Sequence, residues 1–562
     1  MSYITDFHTH IGLKLANNEN IKDLWVFEEN KPPRRFFFFF NFWKNFFLKQ
    51  TYTQYATFTQ CNLENCVDGH LRVQICSIYP IERQYINRKN FWLLLMASLT
   101  FFTKTFPFIP IFMKKRNVLF SLAQIVIGIS KKRSEEIWKE QKSLDNRIDY
   151  FKDYLKELQV LKDAQNSKSN KPQYAQNTFK LVRNYEEFQA NIQNKNVLLG
   201  IISAEGIHSF GDYKLKHLFR DTSIESISDS ERQKLLLSMR RNIDKVKKKD
   251  AFSPFYVTFA HHYNNLFCGH SKSFKFPITL FFKQKNALDK GLYSYGEQII
   301  RSLLERGPEK RRVLIDIKHM SIETRKDFYK IIDEYNKDVA FEDFQNKVPI
   351  ISSHTAVNGN TTWEASVKLA CKKEANKGYV SRCDVNVCDE DILQIYKSSG
   401  IIGILMHDGR MPGKKYLKKL KALKEQPKER MLLQQQLFLT NVYHIIHVLY
   451  QKDLKDGMWD IITLGSDMDG LIDPFDDYTT AGDLLAFRNH IWEYLDNYET
   501  IPEDYHIVNL MKSPDGNIKL SLDELNALNM GLSTTEIVNR IFYKNFDLFL
   551  SRYFTDNYLF GN

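Results

Sequence analysis

The chain has 562 residues, 43% of them hydrophobic and 26% charged, which excludes an intrinsically disordered polymer. Its formal net charge of +12 raises nucleic acid, an anionic membrane or an acidic substrate as partners. The lysines are dispersed, however, and no zinc-finger or RNA-recognition pattern accompanies them, so a solvated basic surface and no nucleic-acid partner are expected. Cysteine usage adds a further exclusion. The seven cysteines are an odd number, and the pairs Cys61 with Cys66 and Cys383 with Cys388 are too widely spaced for a CxxC motif. A disulfide framework is therefore not expected, and free thiols in a reducing compartment are.

Read from the start, the chain carries eight short β-rich runs, each ending in polar residues. Residues 3–7 run into His8, and residues 71–78 alternate before meeting Tyr79 and Pro80. Residues 197–202 lead to Glu205, 255–259 to His261 and His262, and 313–317 to His319. Residues 349–351 lead to His354, 401–406 to His407 and Asp408, and 461–464 to Asp467. Helical spacing separates most of these runs, as in Ile148, Phe151, Leu155, Leu158 and Leu161, in 299–304 and in 442–449. Strands alternating with helices in this number predict an α/β fold, a (β/α)₈ TIM barrel, whose site lies at the C-terminal strand ends.

One domain over 1–562 is expected, with long aromatic-rich helical insertions after the first two strands, at about 11–70 and 81–145. Residues 165–178 read as an exposed polar loop, and residues 411–430, with eight Lys/Arg, as a solvated helix and loop. Ser533, followed by Glu536, reads as a capping box that opens a last helix. Two apolar segments stand out. Residues 36–40 are five consecutive phenylalanines behind Arg34 and Arg35, and residues 91–113 are strongly apolar but broken by Lys104, Pro107 and Pro110. A spanning helix needs about 20 uninterrupted apolar residues. A buried insertion, a lid or a dimer contact is expected instead, with peripheral membrane contact through these aromatic insertions as the alternative. A secretory signal has no room before His8, so a cytoplasmic location is expected.

The strand ends carry the chemistry. His8 and His10, two apart on a strand, point to one side and can grip a metal ion together. Glu205 can bridge two cations with its two oxygens, while Gly206 lets the backbone approach closely. His319 and His354 offer imidazole nitrogens from equivalent positions on successive strands. Asp467, between Gly465 and Gly470, would hold a metal and stand beside the water that two cations acidify. It can take the proton and return it to a leaving amine. All these donors are nitrogen or oxygen, which suits two divalent metal ions, zinc first, with manganese or iron as alternatives.

In their order these motifs resemble the membrane (renal) dipeptidase family of the amidohydrolase superfamily. The resemblance covers most of the chain apart from the aromatic insertions. It is carried by residues 71–79, by Glu205 to His208, by 256–264, 316–321, 349–354 and 465–470, and by 531–536 with Asn545 and Phe546. It implies that Glu205 bridges the two metals and that His319 and His354 serve the second. It also implies that His261, rather than His262, meets the substrate and the tetrahedral intermediate, with Asn264 in the same substrate-binding segment. Asp467 would be the catalytic acid–base. Two departures are visible. The family opens with His-x-Asp, whereas here it is His8 and His10. The family also places an Arg, which binds the substrate's carboxylate, directly before an Asn-x-x-Asp-Glu segment. Here Asn386 to Glu390 match that segment, but Val385 precedes them and the nearest basic residue is Arg382. Arg382 is the expected substitute. The implied activity is metal-dependent hydrolysis of a dipeptide-like amide bond by a water activated at two metals, in a homodimer. Two other readings stay open: an amidohydrolase acting on a different amide, a lactone or an ester, and a non-catalytic membrane-associated or binding barrel.

Overall fold

Eight β-rich segments form parallel strands, and their order in the sheet follows their order in the chain. They are β1 (Ile4–Thr9), β2 (Leu71–Ile78), β3 (Val197–Glu205) and β4 (Tyr256–Thr258). Then come β5 (Leu314–Asp316), β6 (Ile351–Thr355), β7 (Ile401–Ile404) and β8 (Ile462–Leu464). The computed structural model describes residues 3–25, 57–87, 119–120, 123–124, 127–274, 279, 282–369, 377–470 and 473–561. Strand β8 returns to β1: Thr9 bridges Met468 in parallel, Asp467 N–H donates to the His8 carbonyl (2.9 Å), and His10 N–H donates to that of Met468 (2.8 Å). The result is a nearly closed (β/α)₈ barrel, as the alternation of strands and helices predicts.

Burial on both faces explains the near-continuous apolar strands; every residue of β3 is buried. Outside lie helices such as α1 (Tyr150–Ala164), α2 (Ser294–Leu304), α3 (Lys414–Ala422) and α4 (Pro427–Gln451). Helix α1 starts where the Asp149 side chain accepts from Phe151 N–H, and it buries Tyr150, Phe151, Tyr154 and Leu161. Leu155, expected on that face, is 45% exposed.

A ninth strand (Thr178–Leu181) pairs with the first half of β3, below the point where Ala204 and Glu205 pair with β4. The sequence reading ended an exposed loop at residue 178. The alternation that buries Phe179 and Leu181 while Lys180 faces outward makes this stretch a strand instead. Ser533 does cap its helix by accepting from Glu536 N–H, but the Glu536 carboxylate goes to Arg540 and Lys544, so the expected box lacks its reciprocal half. A complete box forms at Ser521 and Glu524. The Ser533 helix is not the last either, since Asp556–Phe560 follows.

The apolar side chains fall into two clusters. One fills and surrounds the barrel, from Ile4 to Phe560. The other joins Leu13, Tyr79, Ile81, Tyr85, Leu119, Phe120, Tyr263, Phe274 and Phe282, all beyond strand ends. Cys61, Cys66, Cys76, Cys268 and Cys388 are buried free thiols. Residues 36–40 and 91–113 lie outside the described residues. Among the described residues no helix is long and apolar enough to cross a membrane.

Candidate metal centre

Two buried carboxylates fix the strand ends beneath the barrel mouth. Asp6 Oδ1 accepts from the N–H groups of His8 (3.1 Å) and Ser466 (3.0 Å), tying β1 to β8. Asp316 Oδ1 accepts from Lys318 N–H (3.0 Å) and Ser353 N–H (2.9 Å), tying β5 to β6. Above them the chain turns sharply. Gly206 has φ +88°, and a Cβ there would lie 2.3 Å from the His208 ring. His319 and Asp467 take φ +65° and +61°, left-handed conformations that cost a side-chain-bearing residue on the order of 1 kcal/mol. These turns aim both side chains across the mouth.

The imidazoles converge on Glu205. The Nε2 atoms of His10 and His261 lie 2.9 and 3.5 Å from Oε2, and those of His8, His319 and His354 lie 3.7, 3.6 and 3.7 Å from Oε1. Asp467 faces the same group, with His10 at 3.5 Å and His8 and His354 at 4.0 Å. The far ring nitrogens fix several tautomers. Tyr256 Oη donates to the Phe7 carbonyl (2.7 Å), so it accepts from His8 Nδ1 (3.0 Å). Ser353 Oγ donates to Asp316 (2.6 Å), so it accepts from His354 Nδ1 (2.8 Å). The Glu82 carboxylate accepts from His261 Nδ1 (2.7 Å). His8 and His354 therefore turn bare Nε2 lone pairs inward, the form in which imidazole binds a cation.

A cation fits these observations. His8 Nε2 and His10 Nε2 face each other at 3.2 Å, and His354 Nε2 is buried with no hydrogen-bond partner. Three sets of donors lie close enough to share an ion: His8, His10 and Asp467; His8, Glu205 and His354; and His261, His262 and His319.

Charge state favours the same use at most of the rings, His10 being the exception. Burial lowers the His8 pKa to about 3 and holds His262, His319 and His354 well below the usual range, so these rings are neutral at pH 7. Burial opposes the charge on His10 too, but Glu205 and Asp467 outweigh it and lift its pKa to about 9. Burial works against an ionised Glu205, yet His261 and His10 hold its carboxyl well below the usual range. Asp467 rises to about 6, through burial first and the Glu205 charge second.

All six residues expected as metal donors (His8, His10, Glu205, His319, His354 and Asp467) thus come together, with His261 beside them. The other two expected substrate-binding residues do not join them. Arg382 donates from Nε to Asn360 Oδ1 (2.8 Å). Asn264 spends its amide on the Arg220 and Thr222 carbonyls and its oxygen on Leu266 N–H. Neither lines the small cavity of about 10 Å³ walled by His10, Tyr79, Glu205, His261, Arg410 and Asp467. Sequence reading passed over Glu82, four residues beyond β2, and Arg410, six beyond β7. Each follows a strand end that was recognised, and that position was the available signal.

No family model matches the chain, and no curated protein matches it. Solved structures do. A metallopeptidase from Rhodobacter sphaeroides, liganded with a phosphinate mimic of the dipeptide L-Ala-D-Ala, aligns over 98% of this chain and 99% of its own at 12% identity and TM-score 0.43. A probable dipeptidase from Pseudomonas aeruginosa aligns over 98% and 95% at 12% identity and TM-score 0.43. An amidohydrolase from Pseudomonas aeruginosa aligns over 100% and 97% at 9% identity and TM-score 0.38. At these scores the likeness carries no step of the chemistry below.

Proposed function

We propose that this protein is a metal-dependent hydrolase that cleaves a small, dipeptide-like amide. One observation carries the reading: five buried imidazole Nε2 atoms surround one ionised carboxylate, Glu205, with Asp467 alongside. His8, His10, Glu205 and Asp467 would hold one divalent ion. Glu205, His319 and His354 would hold a second, and zinc suits the donors. Bound cations would supply Lewis acidity to the scissile carbonyl and acidify the attacking water.

The chain's own residues do the rest. Asp467 accepts the water's proton at Oδ and passes it to the leaving nitrogen. Glu82 accepts from His261 Nδ1–H and so fixes the orientation of this ring in the cavity wall beside Glu205, where it can contact the substrate. Burial opposes charge on Glu82, but His261 holds its carboxyl below the usual range, so that support is present at neutral pH. Leu13 and Tyr79 give this cavity its apolar wall. A second reading, hydrolysis of a different amide, a lactone or an ester, is favoured by one observation: Arg382 points at Asn360 rather than into the cavity.

The test is hydrolysis of a dipeptide panel, D-residue dipeptides included, by zinc-reconstituted protein, with metal content measured and Asp467→Asn as control. Turnover that vanishes in the variant is expected. No turnover with two metals bound per chain would overturn dipeptide hydrolysis.

A further inference from the structure

At the end of the barrel away from the metal centre, the strand beginnings surround a larger cavity, of about 690 Å³. Arg72 stands at the start of β2, and Lys195 and Leu198 flank the start of β3. Leu485 and Arg488 close the opposite wall from one face of the helix Leu484–Asp496, three residues apart. With His70, four basic side chains line this space, and among the described residues no carboxylate does.

The bonding of the two arginines leaves their charge unmatched. Arg72 donates from Nη2 to the carbonyls of Ile192 (2.9 Å), Asn194 and Val197 (3.2 Å), and its guanidinium lies over the Tyr3 ring. Arg488 donates from Nη2 to Asn539 Oδ1 (2.8 Å). The Nε–H groups of both are buried with no acceptor. Burial lowers both guanidinium pKa values, and the groups that oppose it are the phenols of Tyr3 and Tyr543, not carboxylates. Asp547 accepts from the Tyr3 phenol and does not line the cavity. Elsewhere comparable arginines hold acids, as Arg540 holds Asp460 and Arg430 holds Asp477. Partly desolvated cations gathered around one space without an anion are costly, and an anion that enters relieves that cost.

The lining also selects the anion. A carboxylate is matched by one guanidinium and would leave the remaining cations unmatched. A phosphate monoester carries a charge of about −1.5 to −2 and three acceptor oxygens, so it can serve several donors together. The volume exceeds what a bare oxyanion fills and falls within the range of about 300–1,000 Å³ usual for small-molecule sites. Val67, Leu198 and Leu485 supply apolar wall for an organic body.

We propose that this cavity binds an organic phosphate monoester, with the phosphate among Arg72, Arg488 and Lys195 and the organic part against Leu198 and Leu485. The site does not depend on the hydrolase reading.

The test is calorimetry of the metal-loaded full chain with adenosine monophosphate, inorganic phosphate and adenosine, on wild type, Arg488→Met and Lys195→Met. Metal content and melting curves are recorded alongside. The monophosphate is expected to bind more tightly than inorganic phosphate, and adenosine not measurably. Arg488→Met should weaken the monophosphate by at least about 10-fold and Lys195→Met by about 3-fold, with metal content unchanged. Lys195 is exposed, so its variant reads binding without a cost in folding. Phosphatidylcholine vesicles with and without phosphatidic acid separate two sources of the same group. Retention on phosphatidic acid that the monophosphate displaces assigns a lipid phosphate, and monophosphate binding without retention assigns a free one. Adenosine binding as well as its monophosphate would overturn the proposal. Phosphate binding that survives both variants and disappears when the metals are stripped would place it at the barrel mouth and overturn it too. So would the absence of binding to the monophosphate, to inorganic phosphate and to phosphatidic acid.

Discussion

The two apolar clusters are built by different rules. In the barrel cluster Phe7 stacks on Tyr256 (5.6 Å between ring centroids) and meets Phe546 and Phe549 edge-on, so strands and closing helices interlock. In the cluster at the mouth, Tyr85 is surrounded by Tyr263 at 5.1 Å, Phe282 at 5.4 Å and Phe274 at 6.0 Å. Phe274 then reaches the His262 ring at 4.6 Å. The barrel cluster comes from regular elements with periodic faces. The mouth cluster comes from connections after β1, β2 and β4, which share no period. One holds the donors in register, and the other shapes what reaches them. Leu13 and Tyr79 belong to the mouth cluster and line the cavity as well.

Variants can break this division. The largest effect is expected from Glu205→Gln. It should remove bound metal and lower hydrolysis by about 10⁴-fold or more, and the metal-free variant should melt below metal-free wild type, because it takes away the buried partner of His10. Metal analysis and a melting curve check it. Phe7→Ala should lower global stability by about 3–5 kcal/mol in denaturant unfolding. Phe274→Ala should instead speed hydrogen exchange in the mouth segments and shift the global midpoint by less than about 1 kcal/mol. Equal midpoint shifts would show that both clusters unfold as one unit.

At the opposite rim, burial lifts the Asp547 pKa to about 7, although Tyr3 Oη donates to it. A raised carboxyl pKa contributes stability that is complete below about 4 and is lost as pH rises through 7. That amounts to at most about 4 kcal/mol at 1.36 kcal/mol per pKa unit. Asp547→Asn should flatten the stability profile between pH 4 and 7. The smallest catalytic effect is expected from Glu82→Gln: a 10- to 100-fold loss of kcat with the unfolding midpoint unchanged.

The division also explains what the sequence could reveal. The eight barrel strands were legible because each is a short apolar run that stops at a polar residue. The donors were legible because they are those stopping residues. Thr178–Leu181 was missed because four residues beside a lysine- and asparagine-rich stretch carry too little alternation to register. Arg382 was chosen for its nearness to Val385 along the chain, whereas Arg410, 25 positions beyond Val385, is fastened beside it in space. Glu82 belongs to a connection whose shape depends on contacts with Tyr79, His261 and Tyr263. No local pattern encodes those contacts.

The Asp6 tie between β1 and β8 has a consequence for biosynthesis. It joins residues 460 positions apart, and Asp467 lies just beyond the later one. At the ribosome's pace of about 5–20 residues per second, His8 and His10 emerge roughly half a minute to a minute and a half before Asp467 does. Throughout that interval the nascent chain carries the two candidate donor histidines but lacks the carboxylate proposed to move the proton. On the proposed function, hydrolytic competence waits for the last barrel strand, and a chain stalled before it is inert.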